Sequence, residues 1–166
     1  MTKSKKVTMI LCMVYLVVLT WIIVFKMCFS FQELPQIREI NVIPFAASAM
    51  VNGGMNWSEV IDNVIVFIPF GAYLSLFQDG RPSWRSFWMI LGLSAIFEAI
   101  QFILGIGVTD ITDLMTNTSG GVIGMYLVCG VSSLLKEKTT KILNGVALVC
   151  TILMVGLLGT VVIVNL

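Results

Sequence analysis

Five long apolar runs, separated by short polar segments, account for most of the chain. They cover about residues 7–25, 59–77, 86–104, 113–135 and 142–164. Each run is close to the roughly 17–25 residues that an α-helix needs to cross the hydrocarbon core of a bilayer. The pattern therefore predicts an all-α, polytopic membrane protein with about five transmembrane helices in a single domain, residues 1–166.

A longer polar segment, residues 26–58, follows the first apolar run. Prolines interrupt regular structure in it, among them Pro44. Before Pro44, Leu34, Ile37 and Ile40 recur at a spacing of three, with polar residues between them. This spacing is typical of an amphipathic helix that lies on a membrane surface, so it predicts a short interfacial helix here.

The composition supports a membrane protein and excludes several kinds of site. Of the 166 residues, 58% are apolar and 11% are charged, and the mean hydropathy is +0.99. An ordinary soluble domain is about 25% charged. The net charge of +1 provides no basic surface for nucleic acid, and the absence of histidine excludes a Ser-His-Asp triad and the commonest zinc ligand.

Basic residues are unevenly divided between the two predicted sides of the membrane. Eight precede the first run or follow the second and fourth runs: Lys3, Lys5, Lys6, Arg81, Arg85, Lys136, Lys138 and Lys141. The opposite side has Lys26 and Arg38. Because short cytoplasmic loops are enriched in Lys and Arg, we expect a plasma-membrane protein with a cytoplasmic N-terminus and an external C-terminus. The segment 26–58 and a turn at Gly105–Thr112 would then face outside.

Polar side chains lie at similar depth in the outer halves of the second, third and fourth runs. An ionisable residue within a bilayer costs about 2.5–3.5 kcal/mol even on the mildest scale, so it marks a functional site by default. We therefore predict a ligand-binding pocket in the outer leaflet. Its candidate residues are Arg38, Asn41, Asp62, Asn63, Glu98, Gln101, Asp110, Asp113 and Asn117. Hydrogen bonds that only hold the bundle together would also account for several of them.

Arg38 is the candidate countercharge for Glu98 or for the pair Asp110 and Asp113, although it could equally remain solvated in the loop. Glu98 and Gln101 are three residues apart and share a helix face, as do Asp113 and Asn117, which are four apart.

A second set of residues is predicted to shape the helices rather than to bind a ligand. Pro69 lies within the second run and should kink or open that helix. Gly120 and Gly124 form a small-xxx-small pattern that allows close approach of another helix, either within the chain or in a dimer. The full structural set is Pro44, Pro69, Gly71, Gly120, Gly121 and Gly124.

Four stretches of the sequence resemble the VanZ-like family, which is named for a protein linked to teicoplanin resistance in Gram-positive bacteria. They are REINVIPF (38–45), DNVIVFIPFG (62–71), EAIQ (98–101) and DITDLMTNTSGGVIG (110–124). The family usually has an arginine three residues before the first aspartate of the last motif, whereas this sequence has Gly107. The resemblance implies a plasma-membrane protein that lowers susceptibility to the glycopeptide teicoplanin.

Two classes of mechanism fit these residues. A binding protein could use the outer pocket to engage teicoplanin, a lipid-linked cell-wall precursor or a membrane lipid, and so reduce drug retention at the cell surface. A membrane-embedded enzyme could instead use Glu98 with Asp110 or Asp113 as acid and base on a lipid or wall-linked headgroup. We expect no cofactor for the first mechanism, while Mg²⁺ or Ca²⁺ at the carboxylates would fit the second.

Overall fold

The structure is a computed structural model that describes residues 3–26, 37–45, 50–51, 54–55 and 57–165. It contains five long helices: α1 (Lys3–Phe25), α2 (Trp57–Phe77), α3 (Trp84–Leu104), α4 (Ile111–Leu135) and α5 (Thr139–Asn165). A single 3-10 turn, Lys136–Lys138, separates α4 from α5. Each helix begins two to four residues before the apolar run that predicts it, because polar residues form its first turn.

Four helical segments of the described chain are long and apolar enough to cross a membrane, and the predicted all-α polytopic architecture is confirmed. The fourth of these segments, Ile111–Gly156, has 46 residues. That is more than twice the length that one crossing needs. It includes α4, the 3-10 turn and most of α5.

The five helices alternate in direction. Gly120 and Gly124 of α4 lie against Val64 and Ile68 of α2, so these two helices run parallel. α3 runs opposite to both: Glu98, Ser94 and Ile90 of α3 contact Asp110, Asn117 and Gly121 respectively, so positions earlier in α3 meet positions later in α4. At the start of α5, Asn144 bonds Ser4 at the start of α1.

The bundle therefore has two distinct ends. We call the end where α1 and α3 finish and α2 and α4 begin the strand end, because two short strands lie there. We call the opposite end, where α1 and α5 begin, the lysine end. An ion pair between Lys5 and Asp79, with 2.8 Å between nitrogen and oxygen, joins α1 to the α2–α3 turn at the lysine end.

The strands are β1 (Ile37–Asn41) and β4 (Ile106–Asp110), and they pair in parallel. A second pair, β2 (Met50–Val51) and β3 (Gly54–Met55), is antiparallel. The predicted interfacial helix is therefore wrong over Ile37–Asn41, while Leu34 lies outside the described residues. The predicted turn at 105–112 is likewise a strand followed by the start of α4.

A glycine makes the reversal from α3 into β4 possible. Gly105 ends α3 with φ of 66°, and its N–H donates to the carbonyl oxygens of Gln101 and Phe102. Glycine is favoured at this left-handed position because it has no Cβ to clash with the following backbone. The chain leaves α3 in an extended conformation and can pair with β1.

Close packing of α2 against α4 sets the position of the site. A Cβ added to Gly120 would lie 2.1 Å from the Val64 carbonyl oxygen, and one added to Gly71 would lie 1.8 Å from the Gly121 oxygen. Only glycine permits this approach. Pro69 lies inside the continuous helix α2, and the Tyr15 hydroxyl on α1 donates to the Val66 carbonyl one turn before it.

Candidate functional site

Asp110 is the centre of a buried hydrogen-bond network at the strand end. It is the N-cap of α4, and its Oδ1 accepts a hydrogen bond of 2.7 Å from the Thr112 backbone N–H. Its Oδ2 accepts one of 2.9 Å from the Asn41 side-chain amide, and its own backbone N–H donates to Glu98 Oε2 at 3.0 Å. Both carboxylate oxygens therefore have partners inside the protein, and Asp110 is 1% exposed. The network ties β1, α3 and α4 together.

The Thr112 side chain extends this network to the chain that follows β1. Its hydroxyl accepts a hydrogen bond of 2.9 Å from the Phe45 backbone N–H, and Asn41 Oδ1 accepts one of 3.2 Å from Ile43. Pro44 lies in the turn between these two bonds. Asn41 and Asp110 thus fix the segment 41–45 over the start of α4.

Arg38 lies away from the carboxylates. Its Nη2 donates to the Ile103 carbonyl oxygen at 3.0 Å, and its guanidinium carbon is 5.8 Å from the centre of the Phe102 ring. The prediction that Arg38 is the countercharge of Glu98 or of the Asp110 pair is wrong, because β1 directs this side chain toward the end of α3. In the β1–β4 register Arg38 is opposite Gly107.

A cleft of about 240 Å³ opens between the ends of four helices at the strand end. It brings together the end of α1 and the following residue, the first turns of α2, the last turn of α3 and the first turns of α4. Its lining residues are Ile22, Ile23, Lys26, Ser58, Glu59, Asp62, Asn63, Val66, Gln101, Asp113 and Asn117.

Side-chain amides bridge the helices around this cleft. Asn63 Nδ2 donates to Asp113 Oδ1 at 2.7 Å, which links α2 to α4. Gln101 Nε2 donates to the Ile23 carbonyl oxygen at 2.9 Å, which links α3 to α1. Asn117 Nδ2 donates to Ser94 Oγ at 3.1 Å, which links α4 to α3.

In contrast to these donors, three buried carboxylate or amide oxygens in or beside the cleft have no hydrogen-bond partner within the described part of the chain. They are Gln101 Oε1, Asn117 Oδ1 and Glu98 Oε1. The three residues are 4%, 0% and 6% exposed. Leaving a buried acceptor unpaired costs about 1–3 kcal/mol, and native structures contain few of them. Because Gln101 and Asn117 line the cleft, their oxygens are candidate acceptors for a donor on a bound molecule.

The structure thus divides the nine predicted binding residues into three sets. Asp62, Asn63, Gln101, Asp113 and Asn117 line the cleft. Asn41, Glu98 and Asp110 belong to the adjacent network. Arg38 contacts the end of α3 instead.

Sequence reasoning missed three polar residues of the cleft. Ser58 and Glu59 lie one turn before Asp62 and Asn63 on α2, so helical spacing could have identified them. Lys26 has no such signal, because its position depends on how the chain leaves α1.

Two observations concern acid–base catalysis and metal binding at this end of the bundle. One side-chain oxygen of Asp110 accepts a hydrogen bond from a backbone N–H and the other accepts one from an amide. Of the three residues predicted as acid and base, Glu98 and Asp113 therefore remain candidates. Within the described part of the chain, no three Asp, Glu, Cys or His residues are grouped so that they could hold a metal ion.

Comparison with known proteins supports the resemblance seen in the motifs. The family model described as VanZ/LLP1 matches residues 12–136, which is most of the chain. The chain belongs to the VanZ/LLP1 family. A curated VanZ/LLP1 relative, "Protein VanZ" of Enterococcus faecium, is 40% identical over 146 residues, which cover 87% of this chain and 85% of that protein. No solved structure matches.

The VanZ/LLP1 match includes α2, α3 and α4 entirely, together with both strands of the β1–β4 pair. It ends at Lys136, where the 3-10 turn begins. The cleft and the Asp110 network therefore lie within the part of the chain that the VanZ/LLP1 family shares, whereas α5 lies outside it.

Proposed function

We propose that this protein lowers the susceptibility of a Gram-positive cell to teicoplanin, and that it does so by binding at the cleft. The observation that carries the proposal is the 40% identity to Protein VanZ over most of both chains. The VanZ-like motifs of the sequence imply the teicoplanin phenotype. The cleft supplies a polar site that such an activity needs within a membrane protein.

The division of charge between the two ends supports an external cleft. Eight basic residues belong to the lysine end, in the first turn of α1, the α2–α3 turn, the start of α3, the α4–α5 turn and the first turn of α5. At the strand end only Lys26 and Arg38 are basic among the described residues. Because cytoplasmic loops carry the excess of Lys and Arg, the strand end faces the cell exterior in this proposal. The N-terminus is then cytoplasmic and the C-terminus external.

Teicoplanin acts on cell-wall precursors outside the membrane, so an outward cleft is on the same side as the drug and its target. In the proposed mechanism the cleft binds a small polar part of the drug, the precursor or a surface lipid. Occupation of this cleft reduces the amount of teicoplanin retained at the cell surface. No covalent change in the drug or in the wall is required.

The test is expression in a susceptible Gram-positive host, with inhibitory concentration and surface-bound labelled teicoplanin measured in the same cells. The Glu98→Ala and Asn117→Ala variants should lose the resistance, because each removes a buried polar group at or behind the cleft. Asn144→Ala is the matched control, since Asn144 is also a buried amide but lies at the lysine end.

Membrane abundance of every variant is measured with an epitope tag. Resistance that persists in Glu98→Ala and Asn117→Ala at normal abundance would remove the cleft from the mechanism. A modified lipid or wall fragment, found by mass spectrometry only in expressing cells, would replace binding by the enzymatic alternative.

A further inference from the structure

We propose that the ligand recognised by the cleft is a primary ammonium group on a small polar head. This inference rests on the proposed function only in taking the cleft as the ligand site. It adds the chemical class of the ligand, which neither the family nor the relative specifies.

The charges around the cleft favour a cation. Three carboxylates, those of Glu59, Asp62 and Asp113, line it together with one ammonium, that of Lys26. Opposite charges attract strongly in a partly buried site of low effective dielectric, where water screens them less. A cationic ligand therefore gains from the excess of carboxylates, whereas an anionic ligand would be repelled.

The unpaired oxygens favour a ligand that donates hydrogen bonds as well as carrying a positive charge. Gln101 and Asn117 line the cleft, and among the described residues nothing donates a hydrogen bond to Gln101 Oε1 or Asn117 Oδ1. Both residues are more than nine-tenths buried. The Gln101 amide nitrogen donates to the Ile23 carbonyl oxygen, which can only accept, so Gln101 Oε1 is the free group. The Asn117 amide nitrogen donates to Ser94 Oγ. An ammonium group has three N–H donors and no acceptor, so it matches a set of acceptors.

A metal ion and a large ligand fit less well. The described residues include no group of three Asp, Glu, Cys or His that could hold a metal ion. The cleft volume of about 240 Å³ corresponds to roughly eight water molecules at ≈ 30 Å³ each. It can hold an aminoethyl head but not the body of a glycopeptide, so a larger molecule could insert only its amine.

The test compares two lipids of equal net charge on the purified full-length protein. Phosphatidylethanolamine has an ammonium with three N–H donors, whereas phosphatidylcholine has a quaternary ammonium with none. The protein is held in phosphatidylglycerol nanodiscs, and retained lipid is counted by native mass spectrometry. We expect an apparent affinity at least about tenfold higher for phosphatidylethanolamine, since a charge-assisted hydrogen bond is lost in phosphatidylcholine. Equal retention of the two lipids would overturn the proposal.

Two substitutions at one position separate recognition from folding. Asn117→Leu removes one of the two free oxygens and should reduce the preference between the lipids, while Gln101 Oε1 remains. Asn117→Asp keeps acceptor oxygens, and the Ser94 hydroxyl can turn to donate to them, so the preference should remain. Asn144→Asp at the lysine end is the control and should match the unsubstituted protein. A preference that is as large in Asn117→Leu as in the unsubstituted protein, in a monodisperse sample, would contradict the assignment.

A soluble amine identifies the source of the ammonium. Displacement of phosphatidylethanolamine by n-butylammonium would support the proposal with a water-soluble amine as the ligand. Retention in its presence would support it with a lipid headgroup. The assay contains no drug, so it can succeed when the teicoplanin phenotype fails, and the two proposals can be refuted separately.

Discussion

Gly124 provides the sharpest structural test, because it controls the contact between α2 and α4 on which the cleft is built. A Cβ added to Gly124 would lie 2.0 Å from the Ile68 carbonyl oxygen, 2.9 Å from its carbonyl carbon and 3.0 Å from the Ala72 nitrogen. All three contacts are with backbone atoms of α2, which cannot move aside as a flexible side chain can. The Gly124→Ala variant should therefore force the two helices apart.

The expected loss of stability in Gly124→Ala follows from these distances. Ordinary contact of a Cβ begins at 3.4 Å, so the helices must separate by about 1.4 Å at this point. Overpacking of this kind costs about 1–3 kcal/mol, and the better helix propensity of alanine offsets at most about 1 kcal/mol of it. The Asn63–Asp113 hydrogen bond, which links the same two helices, should lengthen or break.

Gly130→Ala is the matched control on the same helix. A Cβ added to Gly130 meets no other atom within 4 Å, so this variant has the gain in helix propensity without the clash. The difference between the two variants isolates overpacking. It should appear as a melting temperature about 2–12 °C lower for Gly124→Ala than for Gly130→Ala in the same detergent.

The assay is thermal unfolding of the purified protein, with teicoplanin resistance measured in cells at matched abundance. Gly124→Ala should lose both stability and resistance, while Gly130→Ala should keep both. Equal melting temperatures for the two variants would show that α2 and α4 do not approach each other as the structure describes. The argument for a cleft between them would then lose its basis.

Two further predictions concern the strand end. Asp110→Ala removes the N-cap of α4 and the partner of Asn41, so it should destabilise the protein by about 1–3 kcal/mol in thermal unfolding; an unchanged melting temperature would contradict the network. Lys26→Ala should change teicoplanin resistance, whereas Arg38→Ala should leave it within twofold at equal abundance, because Lys26 lines the cleft and Arg38 does not. The opposite order would show that Arg38 is the functional cation.

The helices could be predicted because each has a local signal. An apolar run of about twenty residues is readable from the sequence alone, and a polar residue within it is conspicuous. The shared depth of Asn63, Gln101 and Asn117 follows from counting residues along antiparallel helices, and all three line one cleft. The family resemblance was also available from motifs in and between these runs, and membership is confirmed.

The β1–β4 pair could not be predicted in the same way. Its strands are far apart in the sequence, and their pairing depends on the packing of α1, α3 and α4. The spacing of Ile37 and Ile40 was compatible with a helix, although the β-branched residues of β4, Ile106, Val108 and Thr109, favour a strand. The role of Arg38 was predicted wrongly and Lys26 was not predicted, because side chains outside the helices take their positions from contacts with residues far away in the sequence.

The most direct test of the central claim is the side of the membrane that the cleft faces. The Asp62→Cys and Ser133→Cys variants are prepared in a background with Cys12, Cys28, Cys129 and Cys150 replaced, since both positions are exposed at opposite ends of the bundle. A membrane-impermeant maleimide applied to intact cells should label Asp62→Cys at once and Ser133→Cys only after permeabilisation. Labelling of Ser133→Cys, but not of Asp62→Cys, in intact cells would place the cleft in the cytoplasm and contradict a role at the cell surface.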